Sequence, residues 1–361
     1  MGESPRGYAL DMRVTLVADP DLPTELAMRV ARDLPGRLRQ RLGPGLDWEV
    51  RTYTAPLAAE EQVDISAMLT AVRPQLPESG WDIGIFLTDL PRRLGLDAVS
   101  AEVSSDDRVA LLSLPALGGF QLAGRTLEAV VDVIGLLLHP PTSRDRVAGE
   151  VPVIGRRVTR DAEPGRIAPD RYVMPGLRGR MRLLAGMVRA NRPWRLFTSL
   201  SRALAGVFAT AAFGVINDTA WQLSNALDAW RQTLIMVLSV LALAAWIIVD
   251  HELWERPGGW LPKARARLYN TVTLITITLG VLCLYAVLFV VLTGVGALVL
   301  VPGPLAGRLN HRPSVTDYLT LAWFLTSGAM VGGAFGSGLE DDGTVRKAAY
   351  GHRQRDRLAK Q

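Results

Sequence analysis

The sequence predicts two architectures in one chain: an N-terminal α/β domain with a mixed sheet and three helices, and a C-terminal all-α domain of four transmembrane helices. Three observations carry this. Leu268 to Gly307 is forty consecutive residues without a charged side chain, whereas about twenty apolar residues suffice to cross a bilayer's hydrocarbon core. Three shorter uncharged runs flank it: Ala203–Asn217, Gln232–Val249 and Tyr318–Leu339. The first 195 residues contain nothing similar and alternate strand-like with helix-like patterns instead.

The α/β domain is expected over residues 1–140. Arg13–Ala18 is a β-branched run ending at Asp19-Pro20. Pro23 suits the first turn of a helix, along which Leu26, Val30, Leu34 and Leu38 recur at helical spacing. Trp48, Val50 and Thr52 alternate with Glu49, Arg51 and Tyr53, the pattern of a half-buried strand. A second helix is expected over Val63–Leu76, and Trp81–Leu87 is a nearly all-apolar strand. Val99, Ala101 and Val103 lead through a Ser-Ser-Asp-Asp turn to Val109–Leu114, a hairpin. Leu127–Leu138 closes the domain as a third helix.

Residues 141–176 are rich in Pro, Gly and Arg and read as a linker. Residues 177–195 read as a basic amphipathic juxtamembrane helix, with Leu177, Met181, Leu184 and Val188 on one face. Arg178, Arg182 and Arg189 mark the other face, and with Arg192 and Arg195 they are the expected headgroup-facing cations. The alternative is a helix docked on the soluble domain. The transmembrane domain, 196–339, is expected to hold spans near 197–217, 232–249, 270–292 and 316–338. Gly294, Gly296 and Pro302 are expected to help break the forty-residue run after its span, leaving residues 293–307 as a re-entrant or interfacial segment, the alternative being part of one long helix. Residues 340–361 form a basic tail.

Charge is distributed unevenly. Residues 1–150 carry a net −7 and residues 151–200 a net +8, so the basic character belongs to the juxtamembrane stretch. That points to an anionic inner leaflet as partner and away from nucleic acid. With four spans, seventeen basic residues flank the inner side and three, Arg231, Arg308 and Arg312, the outer side. The positive-inside rule then puts both termini in the cytoplasm, in a cell (inner or plasma) membrane. The opening stretch lacks the apolar core of a secretory signal, and the single Cys283 can form no intrachain disulfide.

Gly328, Gly332 and Gly336 repeat every fourth residue in the last span, and Gly206, Thr210 and Gly214 do so in the first. Such flat faces let helix backbones approach closely. They serve either homo-oligomer contact or packing within one bundle.

Chemistry is less legible. Ionisable groups lie only at span edges, as Arg202, Asp250 and Asp317, which gives transport little support. No glycine-rich dinucleotide or phosphate-binding motif occurs, and the first lysine is Lys263. No cofactor is identified. His139, His251, His311 and His352 are scattered. Asp19, Asp21 and Asp89 follow strands, with Asp106-Asp107 further on, and clustered carboxylates there would suit Mg²⁺. The bland reading makes Asp19 and Asp21 helix caps.

The Asp19-Pro20-Asp21 stretch resembles the opening Asp-x-Asp motif of haloacid-dehalogenase-type phosphohydrolases, and its acids also suggest a receiver domain; both families use a lysine missing here. WDIGIFLTDLP, AEVSSDDRVALLSLP and a helix ending GLLLH resemble the edge strand and active helix of zincin proteases, archaemetzincins especially. Aligned on Gly135, that resemblance puts Glu128 and Asp132 at the zinc-binding histidine positions, Ala129 at the general base, and His139 near a third ligand. It implies a degenerate zincin fold without its peptidase chemistry. Residues 181–351, through NRPWRLFTSLSRALAGVFATAAFGVI, HELWERP, LYNTVTLITITLGVLCLYAVL and GSGLEDDGTVRKAAYG, resemble uncharacterised multi-pass membrane proteins of high-GC bacteria. That likeness implies a membrane location and no reaction.

The expectation is a non-catalytic, membrane-anchored interaction or regulatory protein with a cytosolic partner. The alternative is a membrane-anchored metal-dependent hydrolase, either phosphohydrolase-like through Asp19, Asp21 and Asp89 or a relic zincin. A small transporter comes third.

Overall fold

The computed structural model describes residues 10–57, Ile65, Met68, 81–140, 150–158, 169–194, 201–256, 263–299 and 314–337. The chain divides into two compact units, one covering Met1–Ala190 with His352–Gln361 and the other Asn191–Gly351.

In the first unit the strands are β1 (Leu10–Ala18), β2 (Leu46–Thr54), β3 (Ile83–Thr88), β4 (Arg92–Leu94), β5 (Asp97–Ser104), β6 (Val109–Ser113), β7 (Glu150–Val151), β8 (Gly155–Val158) and β9 (Asp170–Met174). They form one mixed sheet in the order β2-β1-β3-β6-β5-β9-β8-β7, with β4 paired to β5. β2, β1, β3 and β6 run parallel, and the pairs from β6 to β7 are antiparallel. The helices are α1 (Leu22–Leu42), a one-turn α2 (Leu114–Leu117), α3 (Leu122–Leu138) and α4 (Gly176–Ala190). The helix expected over Val63–Leu76 lies largely outside the described residues.

Side-chain alternation sorts the core into two layers. Even-numbered Val14 and Leu16 of β1 join Ile85 and Leu87 of β3 beneath α1 and α3, which bury Leu26, Val30, Leu34, Leu38, Val130, Val133 and Ile134. Val17, Phe86 and Leu111 turn to the opposite face, against Ala55, Leu57, Ile65 and Met68. Each such fully buried side chain contributes about 1.5–3 kcal/mol. β3 is buried on both faces, as a central parallel strand must be.

The stretch read as a linker departs from expectation, because β7, β8 and β9 extend the sheet within it. These strands are short and carry Arg156, Arg157, Asp170 and Arg171, so no apolar alternation announces them.

The second unit is helical among the described residues: α5 (Ser201–Ile216), α6 (Asp218–Ala226), α7 (Ala229–Asp250), α8 (Lys263–Val299) and α9 (Val315–Ser337). Among the described residues two helices are long and apolar enough to cross a membrane, α7 and the Ala266–Leu298 portion of α8. The expected break at Gly294 and Gly296 does not occur. α8 continues through both glycines for 37 residues, about 55 Å at 1.5 Å per residue. A helical glycine costs only about 1 kcal/mol, too little on its own to end a helix. Pro302 lies outside the described residues.

The two small-residue stripes meet inside this unit. A Cβ on Gly332 of α9 would stand 2.0 Å from Thr210 Oγ1 of α5 and 3.2 Å from the Gly206 carbonyl. One on Gly214 would meet Leu325 at 2.5 Å, whereas Gly328 has nothing within 4 Å. Gly336 lies in the last turn of α9. Between α8 and α9, Tyr285 Oη and Ser327 Oγ are 2.9 Å apart, a buried polar contact.

Candidate functional site

The four parallel strands end at one edge of the sheet, with Thr54, Asp19, Asp89 and Ser113 at or just past their carboxyl ends. β2 and β3 lie on opposite flanks of β1, which makes this edge a topological switch point, where open α/β sheets form their ligand crevice.

Asp19 is fully buried, and its Oδ1 accepts the Leu57 amide at 2.8 Å, pinning the segment that leaves β2. The Asp19 carbonyl accepts from the amide of Thr24 at 3.1 Å and its hydroxyl at 2.7 Å. Helix capping therefore differs from the bland expectation: Asp21 is the N-cap residue of α1, exposed at φ 69°, and its side chain makes no cap hydrogen bond. Asp89 is half-buried. Its corner is fixed by Leu90, whose amide donates to Thr88 Oγ1 at 3.1 Å and whose carbonyl accepts from Ser113 Oγ at 2.7 Å. Asp106 and Asp107 do not join these acids. They sit in the β5–β6 turn, at the edge where Val109 pairs with Gly84 near the start of β3. Among the described residues no group of three or more His, Cys, Asp or Glu could hold a metal ion.

The α3 positions are committed elsewhere. Glu128 Oε1 accepts from Arg37 Nε of α1 at 2.7 Å, and Arg41 Nη2 of α1 stands 3.8 Å from Asp132 Oδ1. Burial pushes the Asp132 carboxyl above its ordinary value, against the pull of Arg41 and with a further push from Glu128. The direction conflicts with simple ion pairing, and burial prevails because the Asp132 side chain is 10% exposed while that of Arg41 is 63% exposed and screened by water. Ala129 points into the core, and His139 is the exposed C-cap residue of α3. Glu128, Asp132 and His139 thus do not converge on one point. The reciprocal i,i+4 spacing of Arg37/Arg41 and Glu128/Asp132 is the signal that announces this pairing.

Two buried charge clusters lie at the antiparallel end of the sheet, and no motif marks them. Glu102 of β5 receives a bidentate Arg92, Nη2 to both carboxylate oxygens at 3.0 Å, while Arg171 Nε stands 3.3 Å away. On the other face Arg157 pairs with Asp170. Beside them burial pushes the Tyr172 hydroxyl up to about 12, with Arg157 lowering and Asp170 raising it.

α4 docks on the α/β unit by a face that shares only Val188, 8% exposed, with the apolar stripe expected. Gly179, Leu183, Gly186 and Met187 are its inner side; a Cβ on Gly186 would fall 2.1 Å from the Pro115 carbonyl. Leu177 and Met181 are 73% and 58% exposed, with Arg178 and Arg189 also outward. Arg182 turns in and donates from Nη2 to the Leu117 carbonyl at 3.3 Å. Arg192 is 9% exposed rather than outward-facing, and Arg195 lies outside the described residues.

No family model and no curated protein matches the chain. A crystal structure of archaemetzincin from Methanopyrus kandleri is similar at 21% identity, over 40% of this chain and 81% of that one, with a TM-score of 0.31. A likeness of that size is weak and assigns neither a family nor a reaction.

Proposed function

We propose that this protein is a membrane-anchored interaction or regulatory module. Four spans, α5, α7, α8 and α9, hold the α/β unit at the inner leaflet of a cell membrane, with both termini cytoplasmic. The observation that carries the anchoring is the apolar perimeter of α7, where Trp230, Leu234, Leu238, Leu241, Trp246 and Val249 are all exposed. Water does not tolerate such a continuous apolar surface, and lipid requires it. α5 as described has 16 residues, short of the about twenty that a full crossing takes. α8 overshoots the hydrocarbon thickness and stands out of it at one end.

The interaction role rests on how the carboxylates are used. Asp19 ties β1 to the chain leaving β2, and Glu128 and Asp132 face arginines of α1. Alkaline carbonate extraction of membranes tests the anchoring: the chain should stay in the pellet, and release into the supernatant would contradict it. The hydrolase reading keeps one favourable observation, a half-buried Asp89 beside Asp19 at the switch point. Mg²⁺-dependent phosphoester turnover by the full chain, abolished by Asp89→Asn, would replace the interaction reading with that one.

A further inference from the structure

Gly118 and Gly119 make a corner between α2 and α3 that packs on α4. The Leu117 carbonyl at this corner accepts from two guanidinium groups, Arg125 Nη1 at 3.0 Å and Arg182 Nη2 at 3.3 Å. Gly118 sits at φ +97°, and a Cβ there would stand 2.9 Å from Arg125 Nη1 and 3.7 Å from Arg182 Nε. The absence of a side chain at Gly118 therefore lets Arg125 close in beside Arg182 on the same carbonyl. Among the described residues, neither arginine pairs with a carboxylate. Arg182 Nε is buried and has no hydrogen-bond partner.

This arrangement is electrostatically unbalanced in the protein alone. Burial, and then Arg125 beside it, holds the Arg182 guanidinium below the ordinary arginine range. Arg125 also occupies the first turn of α3, a turn with no acid, where the helix dipole disfavours a cation. Arg182 Nη1 also donates to Met174 Sδ at 3.6 Å, and one oxyanion beside the two guanidinium groups would relieve both conflicts and give Arg182 Nε the acceptor it lacks.

The surroundings narrow the class of anion. Phe120 is 79% exposed, and Leu177 and Met181 are 73% and 58% exposed. A Cβ on Gly119 would meet the Ala185 carbonyl at 2.8 Å, so the Phe120 loop runs against α4. Met181 lies one turn before Ala185 on the same side of that helix. An apolar rim around paired arginines suits a phosphate that carries acyl chains, whereas free phosphate gains nothing from the rim.

We propose that Arg125 and Arg182 bind the phosphate of an anionic phospholipid headgroup, with Phe120, Leu177 and Met181 entering the acyl boundary around it. The site rests on the membrane-anchored reading above and adds the lipid chemistry that the α/β unit recognises.

Full-length protein in neutral detergent, titrated with dioctanoyl phosphatidylglycerol, dioctanoyl phosphatidylcholine and inorganic phosphate, tests it by thermophoresis. Phosphatidylglycerol should bind most tightly of the three. Arg125→Gln and Arg182→Gln should each weaken it about fivefold, while Phe120→Ser should weaken the lipid and leave inorganic phosphate unchanged. Unaltered phosphatidylglycerol affinity in both arginine variants would overturn the proposal, as would equal binding of the two lipids. Inorganic phosphate binding as tightly as phosphatidylglycerol would overturn the lipid assignment. Far-UV circular dichroism reports whether the variants fold; if the arginine variants do not, the lipid ranking in the wild-type chain and the Phe120→Ser variant decide. Carbonate extraction is read separately, so loss of the site and loss of anchoring are distinguishable.

Discussion

Arg37 Nη2 stands 2.7 Å from Glu128 Oε1, and this contact joins α1 to α3. One turn further along both helices, Arg41 faces Asp132. The side chains of the first pair are 43% and 33% exposed, so that pair contributes at most about 1 kcal/mol to stability. Its consequence is positional: both acids are turned toward a neighbouring helix.

Asp132 supplies a pH test. Its carboxyl is raised above the ordinary 3.8 by burial, so ionising it opposes folding. The stability it contributes is complete below about 3.8 and is lost as pH rises through the raised folded value. Asp132→Asn should therefore melt at or above the wild-type temperature near pH 7, and the gap should close as pH falls toward 4. Thermal melts of both chains in detergent across that range check this. A variant that melts well below wild type at pH 7 would show that Arg41 outweighs burial.

The glycine stripes make opposite predictions at neighbouring positions. A Cβ on Gly332 would overlap Thr210, so Gly332→Ala should destabilise the helical unit by about 1–3 kcal/mol. Gly328 has open space, so Gly328→Ala should be neutral or slightly stabilising. Equal melting temperatures for the two variants would contradict the α5–α9 contact.

The Arg92–Glu102–Arg171 cluster predicts an asymmetry. Glu102→Gln leaves two arginines, with side chains 7% and 21% exposed, without their shared carboxylate and should cost about 3–5 kcal/mol. Adding Arg92→Met should recover part of that loss. Denaturant midpoints of the single and double variants measure it, and a double variant weaker than the single would refute the pairing.

What the sequence makes legible follows from local periodicity. Leu26, Val30, Leu34 and Leu38 mark α1, and the alternation of Val14 and Leu16 with Val17 sorts β1 between two cores. β9 escaped because Asp170 and Arg171 find their partners in other strands, Arg157 and Glu102, which no local pattern reveals. α8 escaped its expected break because glycine weakens a helix without ending it. The acids after β1 and β3 are legible as a strand-end set, but the amide that Asp19 accepts comes from Leu57, 38 residues away. The Arg125–Arg182 corner lies further still from local reading, since its two cations are brought together only by the docking of α4.

The proposed arrangement, four spans with both termini in the cytoplasm, is open to direct measurement by thiol accessibility. In a Cys283→Ala background, single cysteines replacing Asp228 and His311 should react with an impermeant thiol reagent on intact cells. Cysteines replacing Lys263 and Arg353 should stay unlabelled until the membrane is opened. Labelling of the Arg353 site on intact cells would place the basic tail outside and contradict the four-span arrangement.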